Sequence, residues 1–186
     1  EIGSGLVGSE MCIRDRDYCY GIDVPDLQTA AVQALRKKGL TVASAESCTG
    51  GLVAARLTEV PGASAVFGCG IVSYNNTVKA EVLGVDPAII EQYTAVSAET
   101  AAAMAEAVRK NSGADIGIGV TGNAGPSASE GQPVGLVFVA VASEKYSHVS
   151  RLFIDRHDAD ARNLIRHFAA LKALSLILRA AGYYKE

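Results

Sequence analysis

Residues 134–142 form an almost continuous apolar run in which valine recurs. A strand that is exposed on one face alternates apolar with polar residues, whereas a continuous apolar run indicates a strand that is buried on both faces. We therefore predict a central strand here, covered on both faces of its sheet. Residues 149–154 do alternate in polarity, which predicts a half-exposed strand that pairs with it as a hairpin.

Segments with strand and with helical periodicity alternate along the rest of the chain. Further strands are predicted over 41–45, 66–74 and 115–121, and helices over 24–39, 50–59 and 160–181. Other helices are predicted around Lys79 and Leu83, from Asp86-Pro87, and from Ser97 to Lys110. This order predicts an α/β fold, a three-layer αβα sandwich with a mixed, mostly parallel sheet.

The length and composition are typical of one compact domain: 186 residues, 49% hydrophobic and 20% charged. We assign this domain to residues 23–186. Residues 1–22 are interpreted as a non-native or disordered tail, because the first sixteen have neither helical nor strand periodicity. A net charge of -3 creates no positive field to attract a polyanion, so we expect no nucleic-acid partner.

The sequence contains no apolar run of about eighteen residues and no secretory signal, so we expect no membrane association and a cytoplasmic location. Its four cysteines have neither C-x-x-C spacing nor histidine partners at zinc spacing, which indicates reduced thiols. We expect no metal and no cofactor. The alanine-rich helices could supply a subunit interface, so we expect a homo-oligomer such as a dimer.

Polar, glycine-containing loops follow three of the predicted strands, at the edge of the sheet where ligands collect in α/β proteins. They are residues 45–51, residues 73–76 leading to Lys79, and residues 121–126. In the first loop a strand turns directly into a helix whose free N–H groups can hold an anion. Ser47 in this loop becomes a nucleophile only when a base removes its proton. Because the histidines lie late in the chain, a neutral Lys79 is the more economical base.

Each of these residues also has a purely structural interpretation when it is taken alone. Ser47 or Thr49 could cap a helix, Tyr74 could be a core aromatic residue, and Lys79 could be a solvated helix residue. Glycines serve tight turns more often than ligands, and Glu46 could orient the loop or pair with a cation. The residue types alone leave these alternatives open.

Short motifs occur in and between these loops in a fixed order. They are AESCTGG at 45–51, VSY at 72–74 followed by Lys79, AVS at 95–97, VTG at 120–122, AGP at 124–126 and PVG at 133–135. Together they resemble the CinA C-terminal family, over about residues 24–182. The AESCTGG motif is the most specific of them.

The resemblance implies an αβα fold that hydrolyses the carboxamide of nicotinamide mononucleotide, giving nicotinic acid mononucleotide and ammonia for pyridine-nucleotide recycling. It implies a nucleophile at Ser47, with Tyr74 and Lys79 as the residues that transfer protons. The resemblance also implies functional roles for Thr121 and Arg162, and we assign substrate binding to these two and to Glu46, Thr49, Gly50, Gly51 and Gly122. Arg162 begins an Arg-x-x-aliphatic-Arg pattern, and Arg156 is the competing alignment. Backbone N–H groups of residues 48–51 or 122–125 are the expected oxyanion donors.

The chain departs from the family pattern in the third loop. Asn123 replaces an aliphatic residue, and residues 127–131 replace a glycine-rich segment. This keeps two alternatives open: a non-catalytic nucleotide- or partner-binding module of the same fold, and an amidase for another small carboxamide. The larger domain that often precedes this module does not occur in the sequence, so we expect the stand-alone form.

Overall fold

The computed structural model describes residues 26–156 and 158–183, so the predicted tail over 1–22 lies outside the described residues. The strands are β1 (Val42–Glu46), β2 (Phe67–Val72), β3 (Ile116–Gly122), β4 (Leu136–Ser143) and β5 (Ser147–Phe153). The helices are α1 (Leu27–Lys38), α2 (Leu52–Thr58), α3 (Asn76–Glu81), α4 (Pro87–Tyr93), α5 (Ala98–Ser112) and α6 (Ala161–Ala180), and a 3-10 turn spans Ala63–Ala65.

The strands form one sheet in the order β2-β1-β3-β4-β5. β1 is parallel to both β2 and β3, whereas β4 is antiparallel to both β3 and β5. Four of the five strands therefore point in the same direction and β4 opposes them, which confirms the mixed, mostly parallel sheet and the hairpin. β4 is buried on both faces as predicted, but it lies second from the edge and β3 is the middle strand.

Helices cover both faces of the sheet, which confirms the three-layer αβα sandwich. On one face α1, α2 and α6 pack against β1, β3 and β4 around a core that includes Leu35, Leu57, Val139 and Ile177. On the other face α5 lies across β3 and β4. In the described part of the chain, none of the helices combines the length and the hydropathy that crossing a bilayer requires.

Local capping signals account for most helix ends. The Asp26 side chain accepts a hydrogen bond from the Thr29 N–H at the start of α1, and the Ser97 side chain accepts one from the Thr100 N–H at the start of α5. Pro87 occupies the first turn of α4, where a missing N–H costs nothing.

Several predicted boundaries differ from the structure by one or two residues, and two of these differences have a clear physical cause. The helix of Lys79 ends at Glu81, before Leu83, because Gly84 turns into the left-handed region with φ 81°. Strand β1 begins at Val42 and not at Thr41, whose N–H and hydroxyl both donate to the Asp115 carboxylate at 2.8 Å. The start predicted at 24 for α1 falls on a residue outside the described range.

Candidate active site

The loop between β1 and α2 carries Ser47 directly after the last residue of β1. The Ser47 N–H donates to the Val120 carbonyl at 2.9 Å, and the Gly50 N–H donates to the Ser47 carbonyl at 3.0 Å. Gly50 and Gly51 have φ values of 58° and 91°, in the left-handed region that favours glycine. The two glycines therefore allow the chain to turn from strand into helix within a few residues, with Ser47 at the wall of a cavity.

Glu46 lies beneath this loop and holds the first turn of α2. One carboxylate oxygen accepts hydrogen bonds from the Gly51 and Val53 N–H groups, both at 3.0 Å. The other accepts from the Ala54 N–H at 2.9 Å and from the Ser44 hydroxyl at 3.2 Å. The side chain is only 1% exposed and is absent from the cavity wall. Its contacts are those of a residue that fixes the helix start.

Lys79 reaches Ser47 from α3. Its side chain is only 1% exposed, and its Nζ donates to the Ser47 Oγ at 3.4 Å. This contact is long, as hydrogen bonds between catalytic groups often are before substrate binds. Burial lowers the pKa of Lys79 because desolvation penalises the charged amine, while the Glu130 carboxylate and Cys48 act in the opposite direction. A lowered pKa is what a lysine base requires.

Tyr74 and Arg162 lie together at the exposed rim of the same cavity. The Tyr74 side chain is 60% exposed, and its hydroxyl accepts a hydrogen bond from an Arg162 guanidinium nitrogen at 3.0 Å. A second Arg162 nitrogen donates to the Gly125 carbonyl. Within the described residues, the Tyr74 hydroxyl is therefore bonded to Arg162 and makes no hydrogen bond to Ser47 or Lys79.

The third predicted loop forms another wall of the cavity. The Thr121 hydroxyl donates to the Ala95 carbonyl at 2.6 Å, so this side chain is engaged within the protein. Asn123, which replaces an aliphatic residue of the family pattern, stabilises this loop with two hydrogen bonds. Its amide nitrogen donates to the Gln132 carbonyl at 3.1 Å, and its amide oxygen accepts from the Gly125 N–H at 3.0 Å. An aliphatic side chain could form neither bond.

The other predicted residues lie away from the cavity wall. Thr49 is fully buried, and its carbonyl accepts a hydrogen bond from Arg166 on α6 at 2.9 Å. Gly50 and Gly51 form the turn itself. Arg156 pairs with Asp158 at 2.6 Å on the surface, so Arg162 is the arginine of the two that lines the cavity.

The cavity has a volume of about 410 Å³ and brings together Ser47, Tyr74, Lys79, Thr121, Gly122 and Arg162 from the predicted set. Two residues that hold the loops around this cavity were not predicted: Glu130 accepts a hydrogen bond from the Ala95 N–H, and Arg166 donates one to the Thr49 carbonyl. Glu130 lies within the atypical segment 127–131, and Arg166 is the second arginine of the pattern that begins at Arg162. A buried hydroxyl beside a buried amine, with a guanidinium at the rim, can perform acyl transfer on an anionic substrate.

A larger groove of about 720 Å³ opens at the opposite end of the strands, near Asp115 and Ser143. Three of its five charged lining residues have partners: Arg109 and Lys110 pair with Glu106, and Asp115 accepts from Thr41. It contains no nucleophile paired with a base, so the smaller cavity is the better candidate for the active site.

Comparison with known proteins places this chain in a family. The CinA C-terminal domain family matches residues 25–181. A relative from Acetivibrio thermocellus is 45% identical over 172 residues, which are 92% of this chain and 41% of the relative. A CinA-like protein from Kosmotoga olearia is 40% identical over 184 residues, or 97% of this chain and 44% of the relative. The chain therefore spans less than half the length of these relatives.

Solved structures agree with the sequence matches. A CinA superfamily protein from Klebsiella pneumoniae superimposes with a TM-score of 0.78 at 28% identity, covering 85% of this chain and 97% of that one. The competence/damage inducible protein CihA from Agrobacterium tumefaciens gives a TM-score of 0.77 at 34% identity, covering 86% and 98%. With this fold, and with the AESCTGG loop placed as described, the chain belongs to the CinA C-terminal domain family.

Proposed function

We propose that the protein is an amidohydrolase that converts nicotinamide mononucleotide to nicotinic acid mononucleotide and ammonia. The observation that carries this proposal is the approach of the buried Lys79 amine to the Ser47 hydroxyl, at 3.4 Å. A hydroxyl beside an amine of lowered pKa is a nucleophile and base pair of the Ser-Lys type. Family membership and the intact AESCTGG motif support the same assignment.

The proposed reaction is an acyl transfer in two steps. Lys79 takes the Ser47 proton as the Ser47 oxygen bonds to the carboxamide carbon, and the proton is then delivered to the leaving nitrogen as the C–N bond breaks. Ammonia leaves and an ester to Ser47 remains. Water then attacks this ester, giving one proton to Lys79, which returns it to the Ser47 oxygen as the acid departs. Tyr74 would assist these transfers once substrate replaces its bond to Arg162.

The oxyanion donors would come from the two loops that meet at Ser47. The N–H groups of Gly50, Gly51, Asn123 and Gly125 already have acceptors within the protein. Among the remaining candidates, Cys48, Gly122 and Ala124 line the cavity, so we assign their N–H groups to the developing oxyanion. The guanidinium of Arg162 at the rim would bind the phosphate.

Replacement of Ser47 by alanine tests the nucleophile. We expect ammonia release from nicotinamide mononucleotide to fall by at least about 10³-fold in Ser47→Ala, because the covalent step is lost. Ser147→Ala, on the exposed face of the edge strand β5, is the matched control and should retain the parent rate. Undiminished turnover by Ser47→Ala would disprove the proposal.

The same assay separates the two alternatives. A parent protein that releases ammonia only from other carboxamides would be an amidase of different specificity. A parent protein that binds nicotinamide mononucleotide but releases no ammonia from any carboxamide would be a binding module of the same fold.

A further inference from the structure

Glu130 lies in the continuation of the third loop, residues 127–132, and connects it to the opposite wall of the cavity through both oxygens of its carboxylate. One oxygen accepts a hydrogen bond from the Ala95 N–H at 2.7 Å, and the other accepts from the Asn76 side-chain amide at 3.3 Å. The Glu130 backbone has φ 52°, a left-handed conformation that is uncommon for a residue with a side chain. The loop therefore adopts an unfavourable local conformation at the residue that makes these two contacts.

The two groups that Glu130 binds belong to segments that carry the candidate site. Asn76 is the first residue of α3, the helix that contains Lys79. Ala95 is held on its other side as well, because its carbonyl accepts from the Thr121 hydroxyl at 2.6 Å. Glu130 thus joins residues 123–132 to α3 and to the Ala95 segment across the cavity.

Glu130 also affects the electrostatics of the cavity. The titratable and charged residues that line it, besides Lys79, are Cys48, Tyr74, Glu130 and Arg162. Among these lining residues the negative charge comes from Glu130. Arg162 is a cation, Cys48 is a buried thiol and Tyr74 is a phenol. Its negative charge favours the protonated form of Lys79, in opposition to burial.

We propose that Glu130 is a positioning residue of the site: it holds the third loop against α3 and Ala95, and so places its carboxylate in the same cavity as the Lys79 amine. This inference rests on the proposed function of Lys79 as a base. In the parent protein the negative charge of Glu130 keeps Lys79 protonated up to a higher pH than if burial acted alone. Removing only the charge should therefore make Lys79 neutral at lower pH.

Two variants separate the charge of Glu130 from its hydrogen bonds. Glu130→Gln retains an oxygen that can accept from the Ala95 N–H but removes the negative charge. Asn76→Ala removes one hydrogen bond and leaves the charge in place. Since Glu130 is exposed, its effect on Lys79 is screened by solvent, and it should decrease further at high ionic strength.

The experiment is an NMR titration of the full chain labelled with ¹³C at lysine Cε, in which the Lys79 signal is assigned by its loss in Lys79→Met. We expect the midpoint to move to lower pH in Glu130→Gln, so that below the midpoint the neutral fraction of Lys79 is at least about twofold above the parent's. The Asn76→Ala midpoint should match the parent's. This readout needs no turnover, so it stays valid even if nicotinamide mononucleotide is not the substrate.

An unchanged Lys79 midpoint in Glu130→Gln would overturn the inference. An equal change of the midpoint in Glu130→Gln and Asn76→Ala would also overturn it, because the effect would then come from the hydrogen bonds that hold the loop and not from the charge. In an enzyme that releases ammonia, the acid limb of kcat/KM for Glu130→Gln should move to lower pH together with the NMR midpoint. A purely structural role would lower kcat/KM at all pH values and leave the limb in place.

Discussion

Lys79 and Cys48 line the same cavity, and burial has opposite consequences for their reactivity. Desolvation favours the neutral form of any ionisable group. It lowers the pKa of Lys79 and so favours the free amine that can act as a base. It raises the pKa of Cys48 to about 12, so the thiol next to the candidate nucleophile stays protonated and unreactive. The environment therefore activates the amine and leaves Ser47 without a competing thiolate.

Alkylation of the native protein with iodoacetamide at pH 8 tests this difference. Cys69 on β2 is partly exposed, and we expect it to react at least about tenfold faster than the buried Cys48. Peptide mapping by mass spectrometry measures both rates in one sample. Unfolding in urea is the control, since it should make the two rates similar. Equal rates in the folded protein would contradict the proposed burial of the Cys48 thiol.

At the scale of elements, glycines in β3 set how closely α5 approaches the sheet. A Cβ on Gly119 would lie 2.2 Å from the Ala101 carbonyl oxygen, and one on Gly117 would lie 2.0 Å from the Ala105 carbonyl oxygen. Both contacts are with helix backbone, which cannot move away as a flexible side chain can. The start of α5 follows the Ala95 segment that lines the cavity, so this packing also positions one wall of the candidate site.

Gly119→Ala should therefore force α5 away from the sheet. We expect the free energy of unfolding to fall by at least about 2 kcal/mol, as in overpacked cores, measured by urea denaturation followed by circular dichroism. Gly68→Ala on the edge strand β2 is the matched control. A Cβ there meets no atom within 4 Å, so its effect should stay within about 0.5 kcal/mol. Equal losses in the two variants would contradict this account.

At the scale of the whole molecule, we expect the burial of the Lys79 amine to lower the free energy of unfolding. Its pKa is lower in the folded protein than in the unfolded chain, so the unfolded chain binds the proton more tightly. Below the folded-state pKa the Lys79 amine is charged in both the folded and the unfolded chain, so the folded protein is destabilised by the full amount. This destabilisation is relieved as pH rises from the folded-state pKa to the unfolded-state pKa.

Lys79→Met should consequently lose ammonia release yet melt at a higher temperature at pH 7. For a domain of this size, each 1 kcal/mol of added stability corresponds to about 2–4 °C in Tm. The difference in Tm from the parent should shrink as pH is raised toward 10. Lys145→Met, at an exposed position, is the control and should leave Tm nearly unchanged. A lower Tm for Lys79→Met at pH 7 would contradict the buried placement of the amine.

Local patterns were sufficient for the order of elements and for most of their ends. The Ser97 cap and the Asp86-Pro87 start depend on hydrogen bonds and dihedral angles within three residues, so they can be inferred from neighbours in the chain. The double burial of β4 follows from its own apolar run. The end of α3 was wrong because apolar spacing continued to Leu83, whereas the helix ends at Glu81, ahead of the left-handed turn at Gly84.

The sequence by itself determined the alternation of strands and helices and identified the nucleophile loop, because periodicity, capping and the AESCTGG motif are local. Only the tertiary structure decided the strand order, the placement of Glu46 beneath the loop, and the contacts of Arg166 and Glu130. The Arg166 contact spans 117 residues and the Glu130 to Ala95 contact spans 35. Such contacts depend on how the sheet and its layers bring distant segments together, and no local propensity contains that information.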